Sequence, residues 1–333
     1  MIRMGVIGYG YWGPNIVRNF HNQEKIKVLA VCDGNPAALK RVKKLYPDIR
    51  LTADYREITT AVDIDAVGIV TPVSTHFMLA KEALSNGKHV FVEKPMTATS
   101  AEAEELVSLA QKNRLIIMVD HTFVFTGAVR KIKQLIEEDI LGPLYYYDST
   151  RVNLGLFQHD VNVIWDLAPH DFSIMAYLIP EKPQAIVATG ASHLNGLADV
   201  AYITAYFGDN MIAHLNVNWL SPVKVRTTLL GGEKKMLVWN DLEADEKIKI
   251  YDKGVKIKNA ESVYSLLVSY RSGDMWSPKV EQQEALSLEC SYFVDCVEKN
   301  QTPFNSGETG HHIVKMLEAA SSSLKNKGKV VYL

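Results

Sequence analysis

Three groups of residues have the types and spacing to do chemistry: a glycine run near the N-terminus, a lysine between Glu93 and Pro95, and the pair Asp166 and His170. The run Gly8-Tyr9-Gly10-Tyr11-Trp12-Gly13 has the pattern G-x-G-x-x-G. It follows the apolar stretch Ile2–Ile7 and opens the helical rhythm of Gly13–His21, the context a dinucleotide-binding turn requires. Gly8 permits the tight turn, Gly10 lets backbone approach a pyrophosphate, and Gly13 lets helix and strand pack closely. The helix N-terminus offers unpaired N–H groups and partial positive charge to phosphates. Tyr11 and Trp12 share this turn, and Trp12 is expected to stack near a nicotinamide or shield it. Asp33 ends the second strand, 20 residues after Gly13. An acid there accepts from the adenine ribose hydroxyls and repels a 2′-phosphate, which favours NAD over NADP. Arg41 is expected to face solvent on the following helix. The missing Gly-Lys-Ser/Thr excludes a P-loop.

Lys94 follows the apolar strand His89–Glu93, at the carboxyl edge of a parallel sheet, where ligands of such sheets bind. An ammonium there can hold a substrate hydroxyl and stabilise negative charge developing on oxygen. Asp166 and His170 are four apart in the otherwise apolar stretch Val163–Ile179, so a helix places both on one face. Pro169 lies between them, so the helix either kinks or starts near Pro169 with Asp166 as its cap. An imidazole with an ordinary pKa of about 6.5 suits general-base work near neutrality. No third ligand stands at helical spacing, so no metal is expected.

The elements that must position these groups change character along the chain. Over residues 1–120, apolar strands (Ile2–Ile7, Ile26–Cys32, Ala66–Val70, His89–Val92, Leu115–Val119) alternate with amphipathic helices (Gly13–His21, Pro36–Leu45, Thr75–Asn86, Ser100–Asn113). That alternation implies an α/β, doubly wound parallel sheet, a dinucleotide-binding domain at 1–120. Residues 121–333 then read as an α+β domain for substrate binding and oligomerisation. It opens with helix Gly127–Asp139, begins a run of longer strands at Pro143–Val152, reads as successive, mainly antiparallel strands between Ala185 and Tyr251, and closes with helices Val280–Lys299 and Glu308–Lys327. Lys253–Lys279 shows no period and is expected to be a loop carrying substrate or subunit contacts. The 333 residues carry a formal net charge of −2, which offers no basic field for nucleic acid. The three cysteines (Cys32, Cys290, Cys296) form no C-x-x-C pair and fit a reducing compartment. With no signal-peptide pattern and no apolar run long enough for a membrane span, a cytoplasmic protein is expected.

Gly8-x-Gly10-x-x-Gly13, Thr71-Pro72-x-x-x-His76, Glu93-Lys94-Pro95 and Asp166-x-x-x-His170 together resemble the Gfo/Idh/MocA oxidoreductase family, across nearly the whole chain. The resemblance implies a Rossmann domain plus an α+β domain with a large open sheet that forms the interface of a homodimer or homotetramer. It implies NAD chemistry with no metal and a Lys94–Pro95 peptide that is often cis, holding Lys94 over the cofactor. It also implies that His170 is the base for a hydroxyl proton and that Asp166 orients substrate or base. Thr71, Pro72, His76 and Glu93 are then expected beside the cofactor. His121, Arg151, Asn153 and Asn162 are candidates for substrate contact, Arg151 and Asn153 because a strand end there can reach a phosphate or carboxylate. The polar run Gln158-His159-Asp160 is a candidate for reading substrate hydroxyls.

The stretch from Asn162 to Asp171 resembles the branch of the family that oxidises nucleotide-linked amino sugars at carbon 3, the UDP-N-acetylglucosamine and UDP-sugar-acid 3-dehydrogenases of polysaccharide synthesis. Val163-Ile164-Trp165 replaces the glycine-rich run that more usual members carry before this Asp. An inositol or free-sugar dehydrogenase, a sugar-nucleotide 3-ketoreductase and a non-catalytic dinucleotide-sensing regulator are the alternatives. A regulator has no need of Lys94, Asp166 and His170 together.

Overall fold

The computed structural model describes residues 1–155, 161–208, 210–257 and 268–333. It divides into two compact units, Met1–Phe125 with Gln283–Glu318, and Thr126–Gln282 with Ala319–Leu333.

The first unit begins β1(Ile2–Ile7), α1(Gly13–His21), β2(Ile26–Cys32), α2(Pro36–Leu45), β3(Arg50–Thr52) and α3(Arg56–Thr59). It continues β4(Ala66–Ile69), α4(Val73–Ser85), β5(His89–Glu93), α5(Ser100–Asn113) and β6(Ile117–Asp120). The strands are short and apolar because helices cover both faces of the sheet, and β4 and β6 are buried along their whole length. All pairings are parallel, in the order β3-β2-β1-β4-β5-β6. The order reverses between β1 and β4, so the turns after these two strands border the crevice where such sheets bind ligands. Thr99 begins α5 with a reciprocal capping box to Glu102. The Lys94–Pro95 peptide is cis.

The second unit holds α6(Gly127–Glu137), β7(Leu144–Leu154), α7(Val163–Leu178), β8(Ala185–Ala191), β9(Val200–Phe207) and β10(Met211–Asn218). It continues with β11(Leu220–Gly232), β12(Met236–Asn240), β13(Ile248–Ile257) and β14(Val268–Trp276). The chain then forms α8(Ala285–Lys299), α9(Gly307–Lys325) and β15(Val331–Tyr332). The sheet order is β14-β13-β12-β11-β7-β10-β9-β8-β15. Only the β7–β10 pairing is parallel among those described. Residues of β9 alternate between buried and exposed, the period-2 pattern of a sheet with one covered face. Helix α7 supplies that cover, packing on β7, β9 and β10.

Two expectations are corrected here, and one alternative is decided. The division is not one break near residue 120, because α8 and the start of α9 belong to the first unit. Phe293 of α8 makes edge-to-face contacts with Phe20 of α1 and Phe91 of β5, at centroid separations of 5.8 and 5.6 Å. The stretch Lys253–Lys279 is not simply a loop, since β13 runs to Ile257 and pairs with β14. Strand hydrogen bonds come from the neighbouring strand, and an edge strand needs little hydrophobic alternation of its own. Of the two readings of Val163–Ile179, the continuous helix holds: α7 starts at Val163 and passes through Pro169 without ending. Proline removes one backbone bond there, while Ile164, Ala168, Phe172 and Met175 stay buried along the helix.

Candidate functional site

In the first unit the site grows from the turn after β1. Gly8 has φ +102°, and an added Cβ would lie 2.3 Å from the Val70 carbonyl oxygen. A side chain at Gly13 would lie 2.6 Å from the Gly8 oxygen, so the turn and helix α1 are as close as backbone allows. Gly10 is exposed with nothing within 4 Å of its Cβ position, which leaves room for a pyrophosphate. Trp12 caps α1 without a side-chain hydrogen bond, so the first-turn N–H groups have no side-chain acceptor. This turn fits a dinucleotide: its phosphates against Gly10 and the α1 N-terminus, its ribose at Asp33.

Asp33 is itself part of the turn. Its Oδ2 accepts from the Tyr9 N–H at 2.7 Å and its Oδ1 from the Asn35 N–H at 2.7 Å. Arg41 does not simply face solvent, as its Nη2 donates to the Tyr9 carbonyl at 3.2 Å. Asp33 and Arg41 thus clamp the same residue from two sides. Replacing Asp33 with Ala removes both the expected ribose acceptor and this latch. NAD affinity is expected to fall about tenfold, the worth of one charge-assisted hydrogen bond, while NADP affinity falls less. Fluorescence titration with both cofactors checks this, and tighter NADP than NAD in the native protein would end the Asp33 reading.

At the carboxyl ends of β5 and β6 stands a group of carboxyls that motif reading did not find. Trp12 Nε1 donates to Asp120 Oδ2 at 3.2 Å, and the Thr122 hydroxyl donates to Asp120 Oδ1. Trp12 is therefore tied to the end of β6; Tyr11 beside it is exposed. Glu93 Oε2 accepts the Lys94 N–H at 3.0 Å, while its Oε1 is sealed from solvent without a partner. Burial first, and then the neighbouring Asp120, hold the Glu93 carboxyl well above the usual carboxylate range. Glu289 of α8 accepts from the His121 N–H and from Asn305 Nδ2, each at 3.0 Å. Its proton is retained for the same two reasons, burial and then Asp120. Glu93 thus points toward the neighbouring carboxyl of Asp120, rather than simply lining a cofactor groove.

A glutamate whose pKa rises on folding makes the native state bind the extra proton. Its contribution to stability is full below the unfolded value and is lost as pH rises through the folded one. Glutamine at 289 keeps the accepting oxygen and donates permanently toward Asp120. Glu289→Gln is expected to match native stability near about pH 5 and exceed it increasingly toward about pH 8, as melting temperatures across that range will show. Parallel curves for the two proteins would contradict the retained proton.

Two histidines differ from expectation. His76 is buried, with Nδ1 3.0 Å from the Pro95 oxygen and Nε2 2.8 Å from the Thr71 oxygen. Burial lowers its pKa, and a neutral ring donates to one of these carbonyls at a time. It ties the Thr71 turn to Pro95 instead of facing a cofactor. Thr71 pairs its hydroxyl with Thr75 at 2.7 Å, and Pro72 caps α4. His121 is also buried, and neither ring nitrogen has a hydrogen-bond partner. Burial, then the Lys94 charge, push its pKa down to about 3, so the ring is neutral. It does not stand open to a substrate. Lys94 itself is half-buried.

The second unit presents Asp166 and His170, both half-buried, one turn apart on α7. Asp166 lies in the first turn instead of capping the helix. Asn162 is the cap: its Oδ1 accepts from Ile164 and Trp165 N–H groups at 3.1 and 3.2 Å, which commits the side chain to the helix. Arg151 is likewise not at an open strand end. It is buried, with Nε 2.7 Å from Asp171 Oδ2 in an internal ion pair. Ser149 also donates to Asp171, at 2.7 Å. Asn153 is half-buried near the end of β7. Gln158, His159 and Asp160 lie outside the described residues.

Comparison with known proteins shows the family. Residues 2–121 match the family described as "Oxidoreductase family, NAD-binding Rossmann fold", and residues 129–238 match the GFO/IDH/MocA C-terminal domain. The chain belongs to the Gfo/Idh/MocA oxidoreductase family. A relative in it, the UDP-N-acetylglucosamine 3-dehydrogenase of Acidithiobacillus ferrooxidans, is 24% identical over 94% of this chain and 94% of its own length. The solved structure of GnnA from that organism matches with TM-score 0.81 over 98% of each chain. The scyllo-inositol 2-dehydrogenase (NAD(+)) of Bacillus subtilis is 24% identical over 98% of this chain and 94% of its own. The aldose-aldose oxidoreductase of Caulobacter crescentus, complexed with glycerol, matches with TM-score 0.83 at 17% identity over 100% of this chain and 99% of its own. These proteins share the fold with this chain, while the substrates in their names differ. Among the described residues no helix is long and apolar enough to cross a membrane.

Proposed function

We propose that the chain is an NAD-dependent dehydrogenase of a sugar secondary alcohol, carbon 3 of a UDP-linked amino sugar. The observation that carries this is Lys94, half-buried at the carboxyl end of β5 in the sheet that also bears the glycine turn. The turn from Gly8 to Gly13, with Asp33, holds the dinucleotide. Bound nicotinamide supplies the hydride acceptor. The Lys94 ammonium binds the reacting hydroxyl and stabilises its oxygen as the proton leaves. His170 accepts that proton, and Asp166, one helical turn before it, orients the imidazole or the substrate. Asn153 is retained as a substrate contact. The exposed face of the second sheet, with Tyr202, Tyr206 and Ile212 each more than 40% exposed, supports self-association into a dimer or tetramer.

The UDP-sugar reading is supported by the resemblance of Asn162–Asp171 and by the full-length similarity to a UDP-N-acetylglucosamine 3-dehydrogenase. A second reading, an inositol dehydrogenase, has support from the similarly complete match to the scyllo-inositol enzyme. Following NADH formation against UDP-sugars, free sugars and inositols separates the two. Turnover only with inositols would overturn the nucleotide-sugar assignment, and NAD binding with no turnover on any of them would favour a dinucleotide sensor.

A further inference from the structure

Trp219 lies in the short link between β10 and β11, far in sequence from the α7 groups, and is 1% exposed. Its indole Nε1 donates to Asp166 Oδ2 at 3.0 Å. An indole has one donor and no acceptor, so this contact selects one oxygen of the carboxylate and sets its orientation. The ring is held on several sides. Its backbone N–H donates to the Asp199 oxygen at 2.9 Å, and its carbonyl accepts from the Gly155 N–H at 3.1 Å. A side chain at Gly155 would come within 2.8 Å of Trp219 Cδ1, so the backbone there lies directly against the ring. Helix α7 is anchored to the same stretch, since the Val163 N–H donates to the Ala198 oxygen at 2.9 Å. Asp199 is itself buried and fixed, its carboxylate accepting the His193 N–H at 2.8 Å and facing the His193 ring nitrogen at 2.7 Å. Residues 198–199 therefore register both the start of α7 and the ring that grips Asp166.

We infer that Trp219 is a positioning residue, whose indole N–H sets the Asp166 carboxylate for the reaction. The inference rests on the proposed role of Asp166. Trp219→Phe keeps a ring and deletes the donor, and kcat is expected to fall about tenfold, the worth of a hydrogen bond to a charged group, with NAD affinity unchanged. Asp166→Asn supplies the reference. If Trp219 acts through Asp166, Trp219→Phe added to Asp166→Asn lowers kcat less than about twofold further, as expected of coupled neighbours. Losses that multiply, or native turnover in Trp219→Phe while Asp166→Asn is impaired, overturn the inference alone. Native turnover in Asp166→Asn removes the role of Asp166 itself, and the inference with it. Should Trp219→Phe not fold, the indole ¹H–¹⁵N resonance of Trp219, one of five tryptophans, gives the answer in Asp166→Ala. That resonance moves if the carboxylate holds the N–H, and an unmoved one overturns the inference.

Discussion

Replacing Lys94 with Ala is expected to abolish turnover while NAD still binds. The lysine side chain is proposed to meet the hydroxyl oxygen, where negative charge grows as the proton leaves. Removing one such donor typically costs a factor of 10²–10³ in kcat, about 2.7–4 kcal/mol. Lys94 is also a cation, so a loss near the upper end, about three orders of magnitude, is expected here. The dinucleotide is proposed to be held by other parts of the unit, the Gly8–Gly13 turn and Asp33, so its dissociation constant should move less than about threefold. Arginine should not restore activity, because a planar fork cannot occupy the place of a compact ammonium. The substitution also removes a charge that depresses His121, whose remaining cause of neutrality is burial. Stopped-flow turnover and cofactor titration on the same preparation check both halves. Native turnover in Lys94→Ala would remove the mechanism, whereas loss of NAD binding would make the lysine a cofactor ligand.

The largest effect on stability is expected at Asp171. Side chains of Arg151 and Asp171 are only 7% and 2% exposed, so the guanidinium has almost no water to replace a lost partner. Taking away one member of a buried pair costs about 3–5 kcal/mol, because a desolvated charge is left behind. In a unit of this size about 1 kcal/mol moves the melting temperature by roughly 2–4 °C, so Asp171→Ala should melt about 10 °C lower. Asp171→Asn keeps an accepting oxygen for Ser149 or Arg151 and should fall between the two. Replacing both residues together, Arg151→Met with Asp171→Leu, should recover most of the loss, since no orphaned charge remains. Scanning calorimetry decides it: a drop of less than about 2 °C in Asp171→Ala would mean that Arg151 finds water or another acceptor.

Arg151 also shows why residue type alone misdirects. At the end of a strand it reads as an anion ligand, yet Asp171 on the covering helix takes its guanidinium. Asn162 reads as a substrate contact and is a helix cap. His76 reads as a groove residue and bridges two carbonyls, one of them on Pro95, 19 residues along the chain. In each case a polar side chain found its partner inside the fold, because burying it without one would be costly. The same cause hid Asp120, Glu289 and Trp219. The Trp12–Asp120 bond spans 108 residues and Trp219–Asp166 spans 53, distances at which no local pattern survives.

What the sequence determined by itself was whatever depends on near neighbours. The alternation of short apolar strands with amphipathic helices specifies a parallel sheet, and three glycines at fixed spacing specify a turn that a dinucleotide can enter. The Glu93-Lys94-Pro95 and Asp166/His170 signatures specify the family, because their spacing is local chemistry on one strand end and one helix face. Only the tertiary structure decided which polar groups are committed to one another, that α8 packs with the first unit, and that β14 extends the second sheet. Those outcomes are set by contacts between residues far apart in the chain, where burial and hydrogen-bond satisfaction select partners that no periodicity records.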